Sequence, residues 1–283
     1  MAILVADDGI KLSLHLSRPA GAATRRGRAT VVIVHGLGEH CGRYAHVIER
    51  LRLWGFGVAA YDQRGHGHSE GARGALAADD DLLRDLAAVI DRSLRDMPGP
   101  LVLLGHSMGG VVAARFAAEG TLPPAQRAPW WRSLDALVLS SPAIEAHLSP
   151  LQRLMLGVLP RLAPNLPLAS GLKPAWLSHD AAVVQAYQAD ERVHNRITPR
   201  LAQFIVEAGR DVLERAPRWR VPTLLMWAGA DRCVAPRGSA RFADAADPNF
   251  LTAHQFSSLY HEIFNEPQHD EVFKVLERWL DKG

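Results

Sequence analysis

Ser107 stands in Gly105-His106-Ser107-Met108-Gly109, a G-x-S-x-G pattern set between an apolar run and an alanine-rich run. A turn from strand into helix is tight there, so small residues flank the serine and its hydroxyl is lifted above the sheet edge. The free N–H groups of a helix start favour a developing negative charge. The plain alternative is a glycine-rich connection with a capping serine. A serine hydroxyl is a weak nucleophile near neutral pH. It needs a base, commonly histidine, and the base needs an orienting acid. With a strand–turn–helix serine the expected chain order is serine, acid, histidine. Asp231 fits as the acid, because it lies just past the buried-strand run of TLLMWAGADRCVAP (223–236). Carboxyl ends of strands are where α/β proteins gather their chemistry. Asp211 and Glu214 lie in a helix-like stretch, and Asp244 and Asp247 precede the final strand. His261 fits as the base, in a loop after a strand at about 250–256. Its rivals are His254 inside that strand and His269 at the last helix.

Acyl transfer also needs donors for the oxygen of the tetrahedral intermediate. The N–H of Met108, directly after the serine, is one, and HGLGEHCGRY (35–44), a glycine-rich loop after VVIV, supplies Leu37 as the second. Gly36-x-Gly38 also resembles a dinucleotide fingerprint, but the third glycine would fall on Cys41, which argues against nucleotide binding. His35, Glu39 and His40, or His66 and His68, lack the spacing of a metal site. No metal and no cofactor is expected.

These groups require a sheet whose strand ends converge. TVVIVHG (30–36), FGVAAYD (56–62), PLVLLGHS (100–107), LDALVLSSP (134–142) and PTLLMWAGA (222–230) are continuously apolar, as strands buried on both faces are. KLSLHLSR (11–18) alternates and reads as an exposed or antiparallel strand. Helix patterns at 44–55, 79–97 and 264–283 separate or close these runs. Strands alternating with helices predict an α/β, doubly wound sheet. Residues 145–218 hold no convincing strand, read as helices over 180–195 and 199–216, and form a helical insertion. The predicted organisation is a first core part at 1–144, a helical cap at 145–218 and a second core part at 219–283.

The chain has 283 residues and a net charge of +2, with acids and arginines interspersed, so no nucleic-acid footprint is present. Two cysteines make no disulfide framework. The start does not read as a signal peptide, and no apolar run spans a bilayer. A cytoplasmic location is the expectation.

HGLGEHCGRY, YDQRGHGHSEG, GHSMGG, GADRCV and YHEIFNE, in that order, resemble the monoacylglycerol lipase and lysophospholipase branch of the α/β-hydrolases, grouped with serine aminopeptidase-like hydrolases. AYQADERVHNRIT resembles that family's cap. The resemblance implies an α/β-hydrolase fold with a mostly parallel eight-stranded sheet. It implies a triad of Ser107, Asp231 and His261, with Leu37 and Met108 as oxyanion donors. The expected substrate is a small lipid ester, foremost monoacylglycerol, cleaved through an acyl-serine. A lysophospholipase, short-chain esterase, thioesterase or peptidase, or a non-catalytic receptor on the same fold, are the alternatives. Glu39 and Arg43 match a polar network near the family's glycerol end, or equally brace their loop. Tyr187 matches a cap tyrosine or packs in the core. The chain departs from the family pattern at Asp190-Glu191, where Asp-Pro is frequent, and at Phe264, which replaces a histidine of some animal relatives. The leucine-rich stretch 148–172 carries only Arg153 and Arg161 as charges, and it raises the prospect of transient membrane-surface contact through the cap.

Overall fold

The computed structural model describes residues 2–20 and 28–282. The strands are β1 (Ala2–Val5), β2 (Lys11–Ser17), β3 (Thr30–Val34), β4 (Gly57–Tyr61), β5 (Leu101–His106), β6 (Ala136–Ser140), β7 (Leu168–Ala169), β8 (Arg196–Ile197), β9 (Thr223–Ala228) and β10 (Leu251–Phe256). The helices are α1 (Ala45–Leu53), α2 (Asp81–Asp96), α3 (Ser107–Ala118), α4 (Pro150–Leu162), α5 (Ala181–Ala189), α6 (Pro199–Arg215), α7 (Pro236–Ala245) and α8 (His269–Leu280). Eight strands make one sheet in the order β1-β2-β4-β3-β5-β6-β9-β10. Within this sheet only the pairings of β2, with β1 and with β4, are antiparallel. This is the mostly parallel α/β sheet that the apolar runs predict, with the eight strands that the family resemblance implies.

The continuously apolar runs are the central strands. Every residue of β3, β4, β5 and β9 is buried, because helices cover both faces. One face packs against α2, α3, α6 and Phe242 of α7, and the other against α1 and α8. Helix α3 is buried almost all round, which its Ala, Val and Gly content allows. The edge strand β10 exposes its four inner residues.

Parallel pairing brings the carboxyl ends of β3, β5, β6, β9 and β10 to one edge of the sheet. The strand order turns back between β3 and β5, the place where open α/β sheets leave a crevice. Between β6 and β9 the chain leaves the sheet and forms α4, α5 and α6. Two differences from the sequence reading lie here. The short antiparallel pair β7–β8 has only two residues per strand, too few to show any alternation. The helix expected over 180–195 stops at Ala189, because the Asp190 carboxylate accepts from the Arg192 N–H and bends the chain. Helix α6 buries Leu201, Phe204, Ile205, Ala208 and Val212 in the main core, so one end of the insertion is anchored there. The closing helix starts at His269, after Pro267; Gly283, at the end of the expected span, lies outside the described residues.

Candidate active site

β5 ends at His106, and Ser107 opens α3 with a φ of 53°, in the left-handed region that a residue with a side chain enters only under constraint. That turn needs Gly109: a Cβ there would lie 2.1 Å from Val34 O and 2.3 Å from His35 O. The helix start is thereby pressed against the end of β3, and the glycines of the motif are steric requirements. Ser107 stays partly exposed while Met108 is buried.

The structure brings the three residues singled out in the sequence into one line. The Ser107 hydroxyl donates to His261 Nε2 at 2.8 Å, and His261 Nδ1–H donates to Asp231 Oδ2 at 2.7 Å. The other Asp231 oxygen accepts the N–H groups of Cys233 (2.8 Å) and Val234 (3.1 Å). Burial opposes ionisation of this carboxyl, but the His261 ring and the two N–H groups outweigh it and hold its pKa below the ordinary value. An ionised Asp231 requires the proton on Nδ1, which leaves Nε2 free to accept from serine. Burial pushes the His261 pKa down, but the Asp231 charge, with Glu262 and Glu39 behind it, raises it by more, and the net shift is upward. The rival residues are elsewhere. His254 is exposed on β10, His269 bonds to Glu266 O, Asp211 pairs with Arg115, and Asp247 with Arg220.

The loop after β3 runs beside the serine, since a Cβ on Gly36 would meet Ser107 Cβ at 3.2 Å. Among the described residues no hydrogen bond engages the Leu37 N–H. Met108 lies in the first turn of α3, where N–H groups have no helical partner. Glu39 Oε1 accepts the Gly36 N–H (2.6 Å) and the Tyr44 hydroxyl (2.7 Å), which sets the loop's shape. Arg43 donates to Glu39 and Glu262, and Tyr187 of α5 lies with its ring 4.8 Å from the Arg43 guanidinium carbon. The converging metal-ligand types among the described residues are Asp231, Cys233 and His261, with donor atoms within 4.8 Å of one another. The two histidine groups weighed from the sequence are not among them.

The family model for serine aminopeptidase, S33, matches residues 25–268. The chain belongs to the serine aminopeptidase S33 family. It is 35% identical over 257 residues to a monoacylglycerol lipase of Mycolicibacterium smegmatis, covering 89% of this chain and 88% of that protein. The monoacylglycerol lipase of Paleococcus ferrophilus superposes with a TM-score of 0.80 at 32% identity, covering 95% of this chain and 98% of that one. A further relative, an uncharacterized abhydrolase domain-containing protein of Dictyostelium discoideum, is 31% identical, and the match spans 26% of its length. As an S33 member the chain is a serine ester hydrolase.

Two residues of this S33 site, His106 and Glu262, escape sequence reasoning. His106 is buried with its ring 4.7 Å from that of His261, and its Nδ1 is bonded to Ser140 Oγ at 3.1 Å. Burial, and then the neighbouring imidazole, push its pKa down to about 4, so it stays neutral beside the serine. Glu262 directly follows His261, and only its distant partner Arg43 gives it meaning. Asp190, which precedes Glu191 where the family frequently has proline, accepts from His40 Nε2 at 2.8 Å. Cys41 and Cys233 are free thiols whose pKa is raised by burial, then by Asp62 and Asp231 respectively. Both remain protonated packing groups. Phe264 packs on Phe273.

Proposed function

We propose that this enzyme hydrolyses monoacylglycerol to glycerol and a fatty acid through an acyl-Ser107 intermediate. The observation that carries the mechanism is the unbroken line of hydrogen bonds from Ser107 through His261 to Asp231, at 2.8 and 2.7 Å. The resemblance to the monoacylglycerol lipases of two organisms supports the substrate. His261 takes the hydroxyl proton as Ser107 Oγ bonds to the ester carbonyl carbon. Asp231 orients the ring and stabilises its cation. The N–H groups of Leu37 and Met108 receive the oxyanion. The C–O bond to glycerol breaks, and glycerol leaves with the proton from His261. Water, deprotonated by His261, then attacks the acyl carbon and frees the fatty acid and Ser107.

Residues 145–218 act as the cap in this reading, with Tyr187 at the glycerol end. Its hydroxyl oxygen would lie 3.7 Å from a Cβ on Gly38, next to the proposed oxyanion loop, and no hydrogen bond to a described residue engages it. Glu39 and Arg43 reach the head group only through the brace they make with each other. Ser107→Ala is expected to abolish hydrolysis of monoacylglycerol, and a fluorophosphonate probe to label the wild type at Ser107 alone. Rates that peak on acetyl esters, or on an aminoacyl amide, would overturn the substrate assignment.

The cap is also proposed to touch the lipid surface that supplies the substrate. Helix α4 starts on a capping box, Ser149 with Gln152, and buries none of its residues. Leu151, Leu154, Met155, Val158 and Leu162 recur at three- and four-residue spacing, and Leu162 is 77% exposed. An apolar face left open in this way seats in the headgroup boundary of a bilayer. No helix among the described residues is long and apolar enough to cross a membrane. Leu154→Asp with Leu162→Asp is expected to weaken co-sedimentation with phospholipid vesicles while leaving turnover of a water-soluble ester unchanged. Equal sedimentation of variant and wild type would refute the contact.

A further inference from the structure

Arg43 sits where the loop after β3 meets the loop after β10. Its guanidinium grips Glu262 as a fork, Nη1 to Oε1 and Nη2 to Oε2, the latter at 2.7 Å. Nη1 also donates to Glu39 Oε2 at 2.8 Å. The remaining acceptors are filled as well: Glu262 Oε2 takes a bond from Asn265 Nδ2 at 2.8 Å, and Glu39 Oε1 holds the Gly36 N–H and the Tyr44 hydroxyl. The side chains are only 11% (Arg43), 5% (Glu39) and 5% (Glu262) exposed. A bidentate arginine–carboxylate pair fixes direction as well as distance, which a lysine would not do. Two carboxylates against one guanidinium leave one negative charge in surplus, and Glu262 is covalently next to His261.

We propose that Glu262 is a positioning residue for ester cleavage: through Arg43 and Glu39 it latches the loop carrying Leu37 to the loop carrying His261, and its charge favours the imidazolium formed during attack by Ser107. The inference rests on the reading of Ser107 as nucleophile and His261 as base. The two loops hold the two halves of the reaction, the oxyanion donor and the proton acceptor. Their separation must stay constant while the carbonyl carbon moves from planar to tetrahedral. A buried fork whose acceptors are all filled resists that separation better than apolar contact between two loops.

The charge effect is consistent with the surroundings of His261. The loop after β9 contributes Asp231 and the neutral thiol of Cys233. The loop after β3 contributes Glu39, with Arg43 and the Tyr44 phenol behind it. β5 contributes the neutral ring of His106, and α5 the Tyr187 phenol near Arg43 and Glu262. Among the groups that raise the His261 pKa, Glu262 ranks directly after Asp231, ahead of Glu39. The cap adds a main-chain hold on the same residue, because the Glu262 N–H donates to Leu177 O at 2.8 Å.

The test is Glu262→Gln, which keeps the shape and removes the charge, measured on p-nitrophenyl butyrate, an ester without glycerol. The expected result is a fall in kcat of about 10- to 100-fold with KM changed less than about twofold, since a small misplacement of reacting groups costs on that order. The acidic limb of kcat/KM is expected to move to lower pH, which a merely structural residue would not cause. Arg43→Lys keeps the charge and loses the fork, so kcat is expected to fall with the limb unmoved; it also serves if Glu262→Gln does not fold. An unchanged limb and kcat in Glu262→Gln, an unchanged kcat in Arg43→Lys, or a rise in KM confined to monoacylglycerol would overturn the inference. Ser107→Ala is measured alongside. If it is inactive while the Glu262 and Arg43 variants behave as wild type, this inference alone fails; if it still turns over, the nucleophile assignment fails with it.

Discussion

Gly38→Ala tests whether the loop after β3 supplies the second oxyanion donor. Gly38 has a φ of 78°, and a Cβ there would lie 2.2 Å from His194 O. Its own carbonyl accepts the His194 N–H at 2.9 Å, so the residue is held from both sides. A side chain at this φ costs about 1–2 kcal/mol. The contact is with main chain, so relief to an ordinary separation takes a shift of roughly 1 Å in the loop or in its partner, enough to cost ~100-fold in rate when it misaligns reacting groups. Leu37 is the adjacent residue, and loss of one oxyanion donor costs about 10²- to 10³-fold in kcat, or roughly 3–4 kcal/mol. The expected variant therefore has kcat lowered by about 10²-fold or more, KM little changed, and a melting temperature lower by several degrees, at roughly 2–4 °C per kcal/mol. The assay is kcat and KM on a water-soluble chromogenic ester, with thermal unfolding on the same sample. Leu37→Ala is the control, because it keeps the N–H and is expected to keep most of the turnover. A Gly38→Ala protein that melts early yet turns over within threefold of wild type would refute the reasoning, since the strain would then be present without the loss of the donor.

Asp231→Asn removes the charge that fixes the proton on His261 Nδ1, and kcat is expected to fall by about 10⁴-fold with the fold retained, as followed by steady-state kinetics and circular dichroism. The His261 pKa is raised above its ordinary 6.5, so kcat/KM is expected to climb with pH through a midpoint above 6.5, where the neutral base appears. The same upward shift gives stability that is fully present below the unfolded pKa and lost as pH rises through the folded one; unfolding midpoints across that window are thus expected to fall as activity rises. Tyr187→Phe is expected to raise KM for monoacylglycerol a fewfold and to leave p-nitrophenyl butyrate unaffected, a comparison of two substrates on one enzyme preparation.

The central strands and the residues of the Ser107–His261–Asp231 line are legible because each is a local signal. A buried parallel strand is a short apolar run, G-x-S-x-G is contiguous, and Asp231 and His261 follow their strands within a few residues. What depended on distant partners was not legible. Glu262 is an unremarked acid until the chain folds and brings it to Arg43, 219 residues away in sequence. Helix α4 was hidden by Pro160, which α4 carries in its last turn, although its capping box at Ser149 and Gln152 was readable. The pair β7–β8 has two residues per strand and the end of α5 is turned by the bonds to Asp190, and neither leaves a periodicity. The strand β1 is AILV, four apolar residues with no alternation to mark an edge strand, although the fold leaves its side chains half-buried or exposed.

The proposed cap grips the core at two points beside the site through backbone atoms: His194 N–H to Gly38 O, and Glu262 N–H to Leu177 O. Amide and carbonyl groups are the same in every residue except proline. The attachment therefore tolerates exchange of many side chains between those points, provided the chain path and the side-chain bonds of His179 to Glu266 and of Asp190 to His40 are kept. Chimaeras that import the stretch from a differently selective hydrolase have a ready junction on either side, and divergence there can retune the choice of acyl chain without loosening the machinery beneath.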